Sequence, residues 1–527
     1  METSCIRQTT LPHTSRIFED LTYHFERVSR FYRFNPHDPD AAKLAAVEID
    51  YPDERRAAMV AALHKQNGDS PSLDLLAKPG TVAVVTGQQV GLFSGPAYTI
   101  YKALTAVKLA ERLCSQGLPA VPIFWLATED HDFAEVDHVW TFNAHHEPVA
   151  LRGSATANSG QRPVGSISFD TVPVAELREA LKDFPFGEEV TAHVEAAYRP
   201  GSTMGESFRD LLKGLLARFN ILYLDPLAED IRQIRAPFLA RAATMGTGLK
   251  NRLDERNKEI VEAGYHAQVH VEAQTSLLFL LEGERRVGLK FQNGEYVSAR
   301  DGRFTGEQLA ARAADLSPNA LLRPVMQDYL LPTVAYVGGP AELAYLAQSQ
   351  VLYEELLGRM PVAMHRSGFT LLDSHAAKLL DRYHLPWPVI YEGEDGIRSA
   401  IARQLVPPAV EQAFAESGRE VKHALDGLGS SLANFDPTLG AALAKSRAKI
   451  EYQLGKMERK VARESLQRDD RAGAEAHFLA GLLYPQKHLQ ERFYSILPFL
   501  AKHGFELIDT LYENVQLECQ DHQVVVV

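Results

Sequence analysis

This chain of 527 residues is short of cysteine, of basic clusters and of long apolar runs, and each shortage removes a class of function. Its three cysteines, Cys5, Cys114 and Cys519, are odd in number and far apart. No CxxC pair occurs, which argues against a disulfide framework or a thiolate zinc site and fits a reducing cytoplasm. Cys114 falls in the last turn of an expected helix, where packing accounts for it better than catalysis. Apolar stretches such as Leu277–Leu281 are far too short to cross a bilayer. The opening METSCIRQTTLPH has no apolar segment of the kind that directs secretion. A soluble cytoplasmic protein without a membrane partner is expected. Lys and Arg form no block and the formal net charge is -13, so nucleic acid is not an expected partner. There is no Walker A motif, and no GxGxxG follows a strand.

What is present is a repeating alternation of strand and helix. TVAVVT (Thr81–Thr86) reads as a buried strand. Gly87, Gly91 and Gly95 follow at intervals of four, and Pro96 stands where a helix would begin. Ile100, Ala103, Leu104, Val107 and Leu113 give that helix its apolar stripe, and Gly117 and Pro119 end it. AVPIFWLAT (Ala120–Thr128) is the next strand, with Glu129, Asp130, His131 and Asp132 directly after it. Such a unit makes the two strands parallel, joined by a right-handed crossover. The Gly-rich loop and the acidic cluster then share the carboxyl edge of one sheet, where open α/β sheets bind ligands.

ILYL (Ile221–Leu224), VAYV (Val334–Val337) and Val362–Met364 continue the alternation and predict a doubly wound α/β fold. Polar, turn-rich stretches near 142–210 and 255–318 read as insertions into it. From about residue 390 the pattern becomes heptad-like: Val410, Phe414, Val421, Leu425, Leu428 and Leu432, then Leu443, Ile450, Leu454, Met457 and Val461. Asn434-Phe435-Asp436-Pro437 separates the arms, so an antiparallel helical hairpin is expected, either packed on the core or projecting as a dimerising coiled coil. The divisions expected are a core over 1–388, a helical domain over 389–480 and a segment over 481–527 that returns to the core, with Val524–Val527 as a strand.

Three groups of residues suggest chemistry. Glycines allow close backbone approach and a helix start offers N–H groups to an anion, which singles out Gly91, Ser94 and Gly95, with Gln88, Gln89, Tyr98 and Lys102 beside them. Three carboxylates and an imidazole over Glu129–Asp132 suit an amine, general-base work or a metal. His138, His145 and His146 follow, but the spacing matches no zinc pattern and no metal is assigned. In SPNALLRPVMQD, Asn319, Arg323, Gln327 and Asp328 form a polar set among apolar residues. Arg323 there suits either a carboxylate ligand or a core brace. Gly338, Gly339, Glu342 and Tyr345, just past VAYV, are expected at the same cleft.

These segments resemble a known family. Val84–Ala110 (VVTGQQVGLFSGPAYTIYKALTAVKLA) and Pro122–Val139 (PIFWLATEDHDFAEVDHV) are similar to signatures of the cysteine-adding enzymes of bacillithiol biosynthesis. So are Leu316–Leu346 and LYPQKHLQER (Leu483–Arg492). The resemblance implies a Rossmann-like core resembling class I aminoacyl-tRNA synthetases, two connecting-peptide insertions and a coiled coil that forms a homodimer. It implies a ligase that joins the carboxyl of cysteine to the amine of glucosaminyl-malate, the last step of bacillithiol biosynthesis. Amide formation from a free carboxylate needs activation, for which ATP is the expected source, leaving AMP or ADP. Gly91–Pro96 stands where those synthetases hold ATP with histidines, and has none. On placement, His131 or Asp132 is the expected base, Asp130 the ammonium partner, and Arg323 or Lys102 the carboxylate partner. Two other readings stand beside this one: a metal-dependent amide hydrolase using His131, Asp132 and His138, and a non-catalytic coiled-coil scaffold.

Overall fold

The computed structural model describes residues 4–155, 162–298, 302–436 and 438–527. Its centre is a five-stranded sheet of β1 (Val82–Gln89), β2 (Ala120–Ala127), β3 (Leu222–Leu224), β4 (Thr333–Gly338) and β5 (Val362–His365). All neighbours are parallel, in the spatial order β5-β4-β1-β2-β3. Alternate residues feed different cores: Ala83 and Val85 pack on one face of β1, Val82 and Val84 on the other. Burial on both faces is why TVAVVT is a continuous apolar run rather than an alternating one. Helix α1 (Tyr98–Ser115) connects β1 to β2, and α2 (Glu229–Thr244) follows β3. The short α3 (Arg323–Leu330) precedes β4, and α4 (Pro340–Leu357) connects β4 to β5.

The chain moves outward from β1 through β2 to β3, then returns to the other side of β1 for β4 and β5. The order therefore reverses between β1 and β4, which is where ligands enter folds of this kind. In register, Gly87 faces Trp125 and Gln89 faces Ala127, so β1 and β2 end together.

Both insertions have regular structure of their own. Between β2 and β3 lie a hairpin (His138–Phe142 with Pro148–Arg152) and helices Val174–Leu181, Gly187–Ala197 and Met204–Leu215. After α2 comes a helix, Gly246–Glu262, and then an antiparallel sheet of Thr275–Glu282, Arg285–Gln292, Glu295–Ser298, Arg303–Phe304 and Leu316–Pro318. The hairpin expected from the heptads is formed by α5 (Pro408–Phe435) and α6 (Leu439–Gln467); Pro437 lies outside the described residues. The strand expected at Val524–Val527 spans His522–Val526. It pairs with Ser4–Ile6 and Phe369–Leu372 in a separate three-stranded sheet rather than with the central one.

Candidate active site

A cavity of about 490 Å³ opens at the carboxyl ends of β1, β2 and β4. On its β4 side, Glu342 in the first turn of α4 accepts from the Gly339 N–H at 2.9 Å and from the Tyr336 hydroxyl at 2.6 Å. It also pairs with Lys102 of α1, whose side chain is only 2% exposed. Lys102 Nζ donates in addition to Gly87 O and Gln88 Oε1, both at 2.9 Å. Burial pulls the Lys102 pKa down, and Glu342 only partly offsets this. Burial alone would raise the Glu342 pKa, but Lys102 and the bonds from Tyr336 and Gly339 outweigh it and hold the carboxyl lowered. Gly87 must be glycine for this to fit: a Cβ there would come within 2.7 Å of Trp125 O.

Cations surround Tyr98. Lys102 Nζ lies 5.6 Å from its ring centre, Arg366 Cζ 5.2 Å and Arg492 Cζ 5.6 Å. Arg366, at the end of β5, is held by Glu491 through two bonds of 2.8 and 2.5 Å. Glu491 also accepts from the Phe369 N–H at 3.1 Å. Its burial works to raise the pKa, but Arg366 brings it down to about 2. Arg323 donates to Gln327 Oε1 at 3.1 Å and the Tyr345 hydroxyl at 2.9 Å. Among the described residues neither Arg323 nor Arg492 has a carboxylate within ion-pair distance, so the charge on this side is not fully neutralised.

The β2 side carries the carboxylates Glu129 and Asp130. Gln89 Nε2 donates to Asp130 Oδ2 at 2.7 Å and to Glu135 Oε2 at 3.0 Å, and the His131 N–H donates to Asp130 Oδ1 at 2.7 Å. Arg286, reaching in from the antiparallel sheet, lies 3.8 Å from Asp130 Oδ1 and 3.5 Å from His131 Nδ1, over the Phe279 ring. Burial opposes ionisation of Asp130, yet bonds from His131 and Gln89 and the Arg286 charge hold its pKa well below the usual carboxylate range. Glu129 lines the cavity, but its Oε1 is paired at 2.8 Å with the fully buried Arg235.

Of the residues singled out from sequence, Gln88, Gln89, Tyr98, Lys102 and Glu129 meet at this cavity. Asp130, His131, Arg323, Gly339 and Glu342 join them. Gly91, Ser94 and Gly95, expected to offer N–H groups to an anion, are not among the residues lining it. The helix starts at Tyr98 rather than Pro96, after a turn at Leu92–Ser94 whose Phe93 and Ser94 have φ of 48° and 72°. The Phe93 N–H donates to the Tyr198 hydroxyl, and the Ala97 N–H to Tyr494 O at 2.8 Å. Gly91 and Gly95 serve each other: a Cβ on Gly91 would lie 3.1 Å from the Gly95 Cα. Asp132 is exposed ahead of a one-turn helix, outside the cavity wall. Gln327 is fully buried and acts through Arg323. Gly338 also lies behind the wall, its carbonyl accepting from the Arg366 N–H at 3.0 Å.

His138 pairs with Asp137 at 2.9 Å rather than with His131. Among the described residues no three His, Cys, Asp or Glu side chains are placed to hold one metal ion, so the hydrolase reading gains no ligand set. Sequence reasoning missed Arg286, Arg366, Arg492, Tyr336 and Phe279. Arg366 follows the carboxyl end of a recognised strand, and Arg492 ends a quoted motif, so both carried a signal. Arg286 carried none.

A parallel Rossmann-like sheet with a charged cavity at its strand reversal and an appended helical hairpin define an α/β protein with a coiled-coil domain. Residues 1–367 match the family model for the bacillithiol biosynthesis BshC N-terminal Rossmann-like domain, and residues 369–527 that for the BshC C-terminal coiled-coil domain. The chain belongs to the bacillithiol biosynthesis BshC family. A relative from Solibacter usitatus named "Putative cysteine ligase BshC" is 54% identical over 100% of both chains. Relatives of the same name from Koribacter versatilis (35%, covering 99% of both) and Salinibacter ruber (30%, covering 97% and 96%) are also similar. A solved structure of a "putative arginyl t-RNA synthetase" from Campylobacter jejuni covers 88% of this chain and 98% of its own. With a TM-score of 0.24 and 10% identity, it carries no argument.

Proposed function

We propose that this protein is a ligase that joins the carboxyl of cysteine to the amine of glucosaminyl-malate, the last step of bacillithiol biosynthesis. One observation carries the reading: the cavity has cations in excess on its β4 side and the ionised Asp130 beside His131 on its β2 side. That polarity suits substrates bearing both carboxylates and an amine. Arg323 and Arg492, which among the described residues have no carboxylate at ion-pair distance, hold substrate carboxylates. Asp130, kept ionised by its neighbours, holds the amine as ammonium. His131, beside Asp130 and partly exposed to the cavity, accepts the proton that the amine must lose before it attacks the cysteine carbonyl. The relatives' name, "Putative cysteine ligase BshC", supports the cysteine-joining part of the reading.

Amide formation from a free carboxylate needs activation, and a nucleoside triphosphate such as ATP is the proposed source. The loop at Gly91–Gly95 does not fit its phosphates, so no step is assigned through it. The enzyme works in the cytoplasm as a homodimer paired through the α5–α6 hairpin. The test is turnover of purified protein with cysteine, glucosaminyl-malate and ATP, following product, AMP and ADP. Product with stoichiometric nucleotide cleavage supports the reading. Binding of both substrates with no amide formed under any nucleotide condition overturns it.

A further inference from the structure

Cys5 and Cys519 stand 514 positions apart in sequence, yet their sulfurs lie 3.7 Å apart. The fold holds them there from both sides. Ser4–Ile6 runs antiparallel to His522–Val526, with Cys5 opposite Gln523 and Ile6 opposite His522. Gln8 Nε2 donates to Gln520 O at 3.0 Å, and the Tyr23 hydroxyl to Asp521 Oδ1 at 2.5 Å, which fixes the two residues that follow Cys519. Both thiols are reachable: Cys5 is exposed and Cys519 half-buried. Bonded sulfurs stand about 2 Å apart, so the remaining approach is within reach of side-chain rotation.

We propose that Cys5 and Cys519 are a redox-modifiable pair that closes to a reversible disulfide by exchange with a low-molecular-weight disulfide. One thiolate attacks the external disulfide, giving a mixed disulfide on the protein and releasing one small thiol. The second protein thiolate then attacks the mixed disulfide, forming the Cys5–Cys519 bond and releasing the other small thiol. The protein loses two electrons and two protons, and the external disulfide gains them. Partial desolvation, reinforced by the neighbouring Cys519 and Asp521, holds the Cys5 thiol above its ordinary pKa, so the pair rests as thiols and exchange is favoured by alkaline conditions. Closure would fasten the sheet whose third strand, Phe369–Leu372, begins at the residue whose N–H Glu491 holds.

The test uses the full reduced chain, treated with glutathione disulfide at alkaline pH and digested with trypsin without reduction. The expected product is a single cross-linked species joining residues 1–7 to residues 503–527, lighter by about 2 Da than the two peptides together and separated by dithiothreitol. Cys114→Ser should leave that species unchanged. Cys519→Ser should replace it with a glutathione adduct on Cys5. Glutathione adducts on both Cys5 and Cys519 without the cross-linked species, or no reaction at either, would overturn the proposal.

Discussion

The cavity and the α5–α6 hairpin treat their side chains in opposite ways. In the cavity, charges that could have faced water are buried and matched: Lys102 with Glu342, Arg366 with Glu491, Glu129 with Arg235. In the hairpin, α5 buries no residue at all and α6 buries only Ala462 and Leu466, near its base. Leu428, Phe435, Ile450, Tyr452 and Met457 are left exposed there. One region has spent polar groups to fix a geometry, as a site that must recognise and react does. The other has apolar surface whose burial is unfinished, as a surface awaiting a partner has.

The comparison breaks most sharply at Lys102. Lys102→Ala removes the cation paired with Glu342 and leaves that carboxylate only its bonds from Tyr336 and the Gly339 N–H. Breaking such a pair costs about 3–5 kcal/mol of stability, whereas replacing both partners with apolar groups of similar shape can be nearly neutral. The expected result is a large fall in denaturant midpoint and about 100-fold or greater loss of kcat/KM. Combining Lys102→Met with Glu342→Leu should restore most of the midpoint and none of the activity. A stable Lys102→Ala with ordinary kinetics would show that the matching of charge in the cavity is incidental.

Glu491 gives the next largest effect. Its pKa is lowered to about 2 in the folded state against an ordinary value of 4.5. The stability from this difference is fully present above the ordinary carboxylate range and is lost as pH falls from about 5 towards 2, on the order of 3 kcal/mol. Glu491→Gln should be less stable at neutral pH, because Arg366 loses its carboxylate, but should lose less on acidification. Denaturant titrations of both proteins from neutral pH to about pH 3 measure it. Parallel pH profiles for the two would remove Glu491 from the account of acid stability.

The two regions were also unequally legible. Parallel β1 and β2, the carboxyl edge and the heptads of the hairpin all follow from local spacing, which adjacent residues determine. Strand order does not: that β4 returns beside β1, bringing Glu342 to Lys102, depends on contacts made across more than 200 positions. Cys5 and Cys519 were hidden for the same reason. The antiparallel sheet, by contrast, does have a local signal. Asn293-Gly294, with φ of 53° and 82°, closes a two-residue turn between Arg285–Gln292 and Glu295–Ser298. An Asn-Gly pair between apolar alternations is among the strongest hairpin signals a sequence offers, and would have exposed the antiparallel sheet. The loop at Gly91–Gly95 was over-read. Glycine spacing permits backbone approach but does not say what approaches, and here the two glycines approach each other.

The smallest expected effect on the folded subunit falls in the hairpin, and it tests the other half of the comparison. Leu428 and Ile450 are 47% and 38% exposed, one on each arm. Leu428→Glu with Ile450→Glu places two charges on surface that a partner would cover. Within one subunit these positions already face water, so the intrinsic stability should change by about 0.5 kcal/mol or less. If the arms pair with a second copy, the charges must be desolvated there, and sedimentation should show the dimer replaced by monomer. Activity per chain should stay within about twofold, since no group assigned to the cavity lies on the arms. Retention of the dimer would place the subunit contact elsewhere. Loss of activity from a folded monomer would mean that the hairpin governs the cavity as well as the pairing, and the division between the two regions would fail.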